Sequence, residues 1–361
     1  MADLIARRSW LKRTSMGLSW FASAAQLSQL GAAEGLHFPA KAKRVIFLFM
    51  DGGPSQVDTW DPKPDAPCEV RGLFGAIATR GDFQISGAFP LHARIADRFS
   101  IVRGVGCDAT PLHELGCQIA QTGRADADGP CAPHIGDLAA EVHAGRCELP
   151  AHVILPRPLD GSRLGLSFGQ AVTNGSSSAM ADALDLEREP GRVRERYGHH
   201  AMGRRFLAAC RLVERGVRFV TLNPFESPTG PVTWDVHGAR PFATMDDFQR
   251  VVAPMYDQAM SALVEDLSAR GMLDSTMVAA LSDFGRTPWI NRDGGRDHWT
   301  KCWSVCFAGG GVQGGRALGE SDEIGAEPRH DAIHPRRLLA TIRRSLGLVE
   351  TPDHPALHEL F

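Results

Sequence analysis

Four short stretches of the chain are dominated by apolar side chains and stop at a polar loop. The first, Arg44-Val45-Ile46-Phe47-Leu48-Phe49-Met50, shows no alternation of apolar and polar positions. A strand with one wet face alternates with a period of two, so an unbroken run of β-branched and aromatic residues predicts a strand buried on both faces. Val217 to Leu222, Thr276 to Leu281 and Trp303 to Phe307 repeat the pattern. Between the second and third, Val251, Met255, Ala259, Ala262, Leu263 and Leu267 recur at helical spacing, which predicts a helix from about Phe248 to Arg270. Gly271 is its expected C-terminal stop. Strand, helix, strand is the grammar of an α/β fold with a helix-covered parallel sheet.

In such sheets ligands sit beyond the carboxyl ends of the strands. Asp51 follows the first run directly, in Asp51-Gly52-Gly53-Pro54-Ser55, and Asp283 follows the third, in Ser282-Asp283-Phe284-Gly285. Both carboxylates are therefore expected to face one crevice. Pro156, Pro158, Gly161, Gly165, Gly169, Gly175 and Ser176-Ser177-Ser178 give residues 156–200 the texture of irregular connection. The expected organisation is one α/β domain over 36–361 with a loop-rich insertion around 156–200.

Residues 1–35 read as a targeting segment rather than fold. Arg7-Arg8-Ser9-Trp10-Leu11-Lys12 is a twin-arginine pattern, followed by a weakly apolar stretch from Met16 to Leu30 and then Gly31-Ala32-Ala33. That succession predicts export by the Tat route to the periplasm or outside the cell. Ser19, Ser23, Gln26, Ser28 and Gln29 make the stretch a poor membrane span, and no transmembrane span is expected in the mature chain. A net charge of -3, with arginines scattered along the sequence, argues against a polyanion binder such as a nucleic-acid protein. The eight cysteines contain no Cys-x-x-Cys pair, which speaks against a structural zinc site. An oxidising compartment permits disulfides, whose pairing the spacing does not assign.

Trp234-Asp235-Val236-His237-Gly238 places a carboxylate and an imidazole in one loop after a strand, and Arg296-Asp297-His298-Trp299 places another pair before a strand. Carboxylates and imidazoles supplied from several strand ends are what a divalent cation in a hydrolytic site takes as ligands. Ser55 has two readings: a hydroxyl beside exposed backbone N–H groups for an anion, or the cap of a turn with Gln56 and Asp58. Arg286 pairs either with an anionic ester or with a carboxylate of the site. Asp58 and Asp61 read equally as site groups or turn braces.

The order Asp51, then Asn223 with Asp235-x-His237, then Asp283-x-Gly285, then His298 before a strand resembles the alkaline-phosphatase superfamily, which includes the sulfatases. Gly52 to Lys63, Asp283-Phe284-Gly285-Arg286-Thr287-Pro288 and Gly295 to Trp299 further resemble a Tat-exported bacterial family of unknown function placed beside the sulfatases. The resemblance runs from about residue 42 to the C-terminus. It implies a three-layer α/β/α sandwich with Asp51, Asp235, His237, Asp283 and His298 as metal ligands. It also implies one divalent cation or more, of the zinc, calcium, magnesium or manganese kind. Two departures stand out. Phe284 replaces a metal-binding histidine. His113 stands where sulfatases start a helix with their nucleophile, the helix that here ends in Gln121-Thr122-Gly123-Arg124.

These readings give an exported metal-dependent hydrolase of phosphate or sulfate esters. It would act on a small-molecule or glycan ester with one metal and no covalent nucleophile. His113, His237 and Arg286 are its catalytic candidates, and Ser55 and Arg286 its substrate contacts. The alternative is a non-catalytic relative that binds an anionic or sugar ligand.

Overall fold

The computed structural model describes residues 39–125, 133–143, 148–156, 178–349 and 353–361. Seven strands form the central sheet: β1 (Arg44–Phe49), β4 (Phe99–Val105), β5 (His152–Leu155), β6 (Phe219–Leu222), β7 (Thr276–Leu281), β10 (Trp303–Ala308) and β11 (Ala317–Leu318). Their order is β11-β4-β10-β7-β1-β6-β5. A hairpin, β2 (Ala76–Ala78) with β3 (Gln84–Ser86), and a two-residue pair, β8 (Gly285–Arg286) with β9 (His298–Trp299), stand outside it.

Both faces of the sheet are covered, as the unbroken apolar runs predict. Within β1, Ile46 and Leu48 belong to one core cluster, while Val45, Phe47 and Phe49 belong to the other. The first cluster takes its helical side from α1 (Pro90–Arg94), α4 (Ser178–Leu184), α5 (Gly191–Tyr197), α6 (Ala201–Glu214) and α7 (Ala253–Ala269). The second takes it from α2 (His113–Thr122), α3 (Ile135–His143) and α8 (Pro335–Ser345). The fold is a three-layer α/β/α sandwich.

Strand direction positions the site. β1 runs parallel to β6 and β7, and β5 parallel to β6. β10 is antiparallel to both β7 and β4. Two successive reversals leave β4 parallel to the central strands, so the segment after Val105 emerges at the end where β1, β6 and β7 finish. The reversal of β10 likewise brings its start, and the residues just before it, to that end. His298 reaches the crevice because one strand runs backwards.

Three expectations are corrected. The helix expected from Phe248 begins earlier, at a capping box in which Thr244 Oγ1 accepts from Asp247 N and the Asp247 carboxylate accepts from Thr244 N. Its next turn, Phe248–Val252, is π-helical. The wider turn shifts the register, so Val251 is exposed and Val252 is buried instead. Within 156–200, residues 157–177 lie outside the described residues, but α4 and α5 are regular helices. Met180, Ala183, Val193 and Tyr197 enter the core from them, so this part is not irregular connection. The signal segment 1–35 also lies outside the described residues. Among the described residues no helix is long and apolar enough to cross a membrane, and Cys68, Cys107, Cys117, Cys210, Cys302 and Cys306 are free thiols.

α8 starts with an imidazole as its N-cap: His334 Nδ1 accepts from Arg336 N at 3.1 Å, with Pro335 at the first helical position. Burial, then the neighbouring His354 and Arg336, lower the His334 pKa from 6.5 to about 4. Only the neutral ring can accept, and a cation opposes the positive end of the helix dipole. Between these values the unfolded chain binds more protons than the folded one, so stability is lost as pH falls from about 6.5 to about 4. We predict that His334→Asn, which keeps a capping oxygen without a titrating group, removes this component. Melting temperatures of wild type and variant, measured across that window, should diverge in favour of the variant as the solution is acidified.

Candidate functional site

Four loops meet beyond the carboxyl ends of the parallel strands: those after β1, β4 and β6, and the one that joins β7 to β10. Asp51, at the end of β1, is fully buried, as is Asp235 in the loop after β6. His113 heads α2, Asp283 follows β7, and Arg286 and His298 face each other across the β8–β9 pair.

Arg286, 1% exposed, is the knot of the arrangement. Its Nη2 donates to Asp235 Oδ1 at 2.5 Å and to Gly52 O, and its Nε donates to Gly53 O at 2.8 Å. Nη1 donates to Arg296 O at 3.1 Å and points at His237 Nε2, 3.3 Å away. A guanidinium has five N–H donors; four of them meet protein oxygens and the fifth faces the His237 ring. This favours one of its two readings: Arg286 is buried and pairs with a site carboxylate. The expectation that it is a substrate contact or a catalytic group is corrected accordingly.

The neighbouring cluster has the opposite character, with acceptors in surplus. His113 Nδ1 donates to Asp283 Oδ2 at 2.5 Å, and that oxygen also accepts from Gly52 N. Asp283 Oδ1 accepts from Phe284 N. His298 Nδ1 donates to the Pro111 carbonyl at 2.9 Å, which leaves a lone pair on Nε2 in the neutral ring. That nitrogen lies 3.3 Å from Asp235 Oδ1 and 3.1 Å from His237 Nε2. His113 Nε2 lies 3.6 Å from the same Asp235 oxygen. Asp235 Oδ2 has no hydrogen-bond partner, and the two oxygens of Asp51 have none beyond the residue's own backbone.

The electrostatics express the same imbalance. Burial, then the charge of Asp283, push the Asp51 carboxyl well above its ordinary range. For Asp235 burial also opposes ionisation, but the three imidazoles and Arg286 outweigh it and hold the group well below the carboxylate range. Burial lowers the pKa of His113, yet Asp235 and Asp283 overcome this and raise it to about 9. A proton held between two carboxylates occupies the place of a cation.

Among the described residues, one atom each of His113, Asp235 and His298 lies within 4.8 Å of the others, close enough to ligate a single ion. Orphaned carboxylate oxygens, imidazole lone pairs facing a carboxylate, and a backbone carbonyl fixing the His298 tautomer together fit a divalent cation. The expected ligands thus divide. Asp235 and His298 lie in the compact set, with His113 as a third member where a catalytic role was expected. Asp51 and Asp283 adjoin it across His113. His237 adjoins the same set: its Nε2 lies 2.9 Å from Asp235 Oδ1 and its Nδ1 3.3 Å from Asp297 Oδ1, with the side chain 22% exposed.

Other candidates are structural. Ser55 Oγ accepts from Asp58 N at 3.1 Å and so closes its own turn. Asp58 is paired with the buried Arg296, and Asp61 accepts from Ser321 while facing Lys63 and Arg103. Phe284 is fully buried and packs its ring on His113 and His298 at centroid distances of 4.9 and 4.7 Å. An aromatic platform stands where a ligand was expected from the resemblance. Gly116 and Cys117 escaped the sequence reading, although their spacing from His113 puts them on its face of α2. A Cβ on Gly116 would come within 2.8 Å of both Asp283 Cβ and Asp283 O. Cys117 lies below; burial, then Asp283 and Asp51, push its thiol well above the ordinary value, which makes it a poor nucleophile.

The chain belongs to the family described as "Protein of unknown function (DUF1501)", whose model matches residues 42–172 and 166–353. No curated protein matches the sequence. Among solved structures it is similar to the phosphonate monoester hydrolase SpPMH from Silicibacter pomeroyi, with 12% identity over 87% of this chain and 76% of that one, TM-score 0.46. It is also similar to the C-terminal periplasmic domain of EcEptC from Escherichia coli in complex with Zn, with 9% identity over 91% and 89%, TM-score 0.43. A third is a protein in the alkaline phosphatase superfamily from Vibrio parahaemolyticus, with 11% identity over 89% and 71%, TM-score 0.42.

Two substitutions test this geometry. Arg286→Met leaves Asp235 buried without its guanidinium and should destabilise the protein by about 3–5 kcal/mol, read from denaturant unfolding. Gly116→Ala forces α2 off the Asp283 loop and should cost about 1–3 kcal/mol by the same measurement.

Proposed function

We propose that the protein is an exported hydrolase of phosphate or sulfate esters that works with one divalent cation and without a covalent nucleophile. The observation that carries this reading is the set of buried acceptors facing one another around Asp235, with two further oxygens on Asp51. Asp235, His113 and His298 would hold the cation, and Asp51, whose ionisation a neighbouring cation would favour, would add negative charge beside it. When bound, such an ion supplies Lewis acidity that polarises an ester oxygen and lowers the pKa of water.

The chain's own residues do the rest. Asp283 orients His113 through its Nδ1 proton, and the Pro111 carbonyl orients His298, so both rings present Nε2 inwards. Arg286 fixes Asp235 and does not move. His237, at the mouth and steadied by Asp297, is placed to exchange a proton between the crevice and water. No activated serine, threonine or cysteine among the described residues meets these groups, since Ser55 closes a turn and the Cys117 thiol is inert. Attack by water therefore fits the groups present. The paired arginines near the start support export.

A second reading is a protein that binds an anionic or sugar ligand without turnover. The observation in its favour is Phe284, which packs an inert ring on two of the three imidazole-bearing positions.

Protein purified without chelator should carry about one divalent cation per chain by elemental analysis. It should hydrolyse members of a phosphate and sulfate ester panel, and Asp235→Ala and His298→Ala should abolish both properties. Metal bound without turnover on any ester favours the second reading, and a folded metal-free protein without turnover sinks the first. Asp51→Asn offers a test that needs no substrate. Replacing a buried carboxyl that faces Asp283 by a neutral amide should leave the metal-free protein at least as stable while shrinking the stabilisation gained on adding metal. Thermal melts with and without chelator read both effects.

A further inference from the structure

Away from these loops lies a cleft of about 880 Å³, within the range of about 300–1,000 Å³ common for small-molecule sites. Four arginines line it, from four separate segments: Arg80 after β2, Arg94 in α1, Arg98 in the turn before β4 and Arg196 in α5. Glu265, on α7, is the carboxylate in the lining. None of the four guanidinium groups has a hydrogen bond or ion pair to a protein group among the described residues. By contrast Arg188, Arg194, Arg205, Arg211, Arg240 and Arg270 each have a carboxylate partner.

The floor between them is apolar, formed by Ile77, Leu91, Ala93, Ile95 and Ala262. Helix-dipole complementarity accounts in part for Arg94 and Arg196, which sit in the last turns of α1 and α5. It does not account for Arg80 and Arg98, nor for the convergence of all four on one cavity. Like charges gathered in a protein of net charge -3 repel one another unless an anion neutralises them. Guanidinium forks match the oxygens of phosphate, sulfate and carboxylate groups, and an apolar floor suits a ring or hydrocarbon body.

We propose that this cleft binds a soluble organic polyanion, a molecule whose apolar body rests on the floor while two or more oxyanion groups meet the arginines. The cleft shares no residue with the metal-ligand cluster, so the ligand is distinct from the ester being hydrolysed. The scatter of arginines along the sequence, which argues against a polyanion binder, is undone by folding. Residues 80, 94, 98 and 196 come together only through the packing of the hairpin, α1 and α5 around α7.

The probe is naphthalene trisulfonate, which carries three oxyanion groups on an apolar ring and no hydrolysable ester. Titrated into the full-length protein and followed by its fluorescence, it should bind saturably at one molecule per chain and weaken as salt is raised. Arg80→Gln combined with Arg98→Gln should weaken binding at least tenfold without changing the melting temperature. Arg250→Gln combined with Arg329→Gln, which removes the same charge from exposed positions outside the cleft, should leave binding unchanged. Asp283→Ala should also leave it unchanged. Equal affinity in the cleft variant, equal loss in both arginine pairs, absence of saturable binding, or loss confined to Asp283→Ala would each overturn the proposal. The last outcome would move the anion to the metal-ligand cluster.

Discussion

The pairing of Arg286 with Asp235 is the interaction on which the rest of the site depends. Both groups are withdrawn from water, with side-chain exposures of 1% and 0%. A buried ion pair offsets its desolvation only when its remaining donors and acceptors are met. The requirement dictates the surrounding architecture. To satisfy the guanidinium, the loop after β1 turns the carbonyls of Gly52 and Gly53 inwards, and the stretch before β9 supplies the carbonyl of Arg296. Gly52 and Gly53 have φ of 101° and 67°, which glycine adopts at little cost. A Cβ on Gly52 would also fall 2.8 Å from the Pro228 carbonyl. Arg296 repeats the device one layer further out, pairing with Asp58 and donating to the carbonyls of Val70 and Pro288.

This rigid half of the site stands against an unfinished half. Arg286 is ringed by protein acceptors, whereas Asp235 Oδ2 has no partner and the Asp51 oxygens none beyond the residue's own backbone. Three carboxylates, Asp51, Asp235 and Asp283, face one guanidinium and whatever charge the imidazoles take up. The raised pKa of His113 is the protein's internal answer, one proton drawn in to balance the excess. The geometry is therefore preorganised for positive charge, held open by groups that have no freedom to collapse on one another.

Much of the fold was legible because it rests on local pattern. The runs at β1 and β7 lack alternation, which already states that two layers of helix are needed, and Asp51 and Asp283 at their ends mark the crevice. What was not legible depends on packing between distant segments. The π-turn at Phe248–Val252 shifts the apolar register by a fraction of a turn, which no side-chain periodicity announces. The helices α4 and α5 sit in glycine- and serine-bordered sequence and owe their place to Met180, Val193 and Tyr197 meeting the core. Within the site, the residue types and loops were readable, but not the division of labour. That Arg286 braces Asp235, that Asp283 orients His113 and that Ser55 closes a turn are matters of direction and distance, the first two between residues 51 and 170 positions apart.

The reversed direction of β10 has a consequence of another kind. Because β7 ends and β10 begins at the same edge and lie side by side, the chain between them departs from the sheet and returns to almost the same place. Asp283, Arg286, Arg296, Asp297 and His298 all travel on that one excursion. The segment is thus a topological cassette: provided Arg286 keeps its hold on Asp235, its length and remaining sequence can change while the strand order and every crossover stay as they are. Diversification of the crevice can proceed by replacing a single loop, with the sandwich serving as an unchanged chassis.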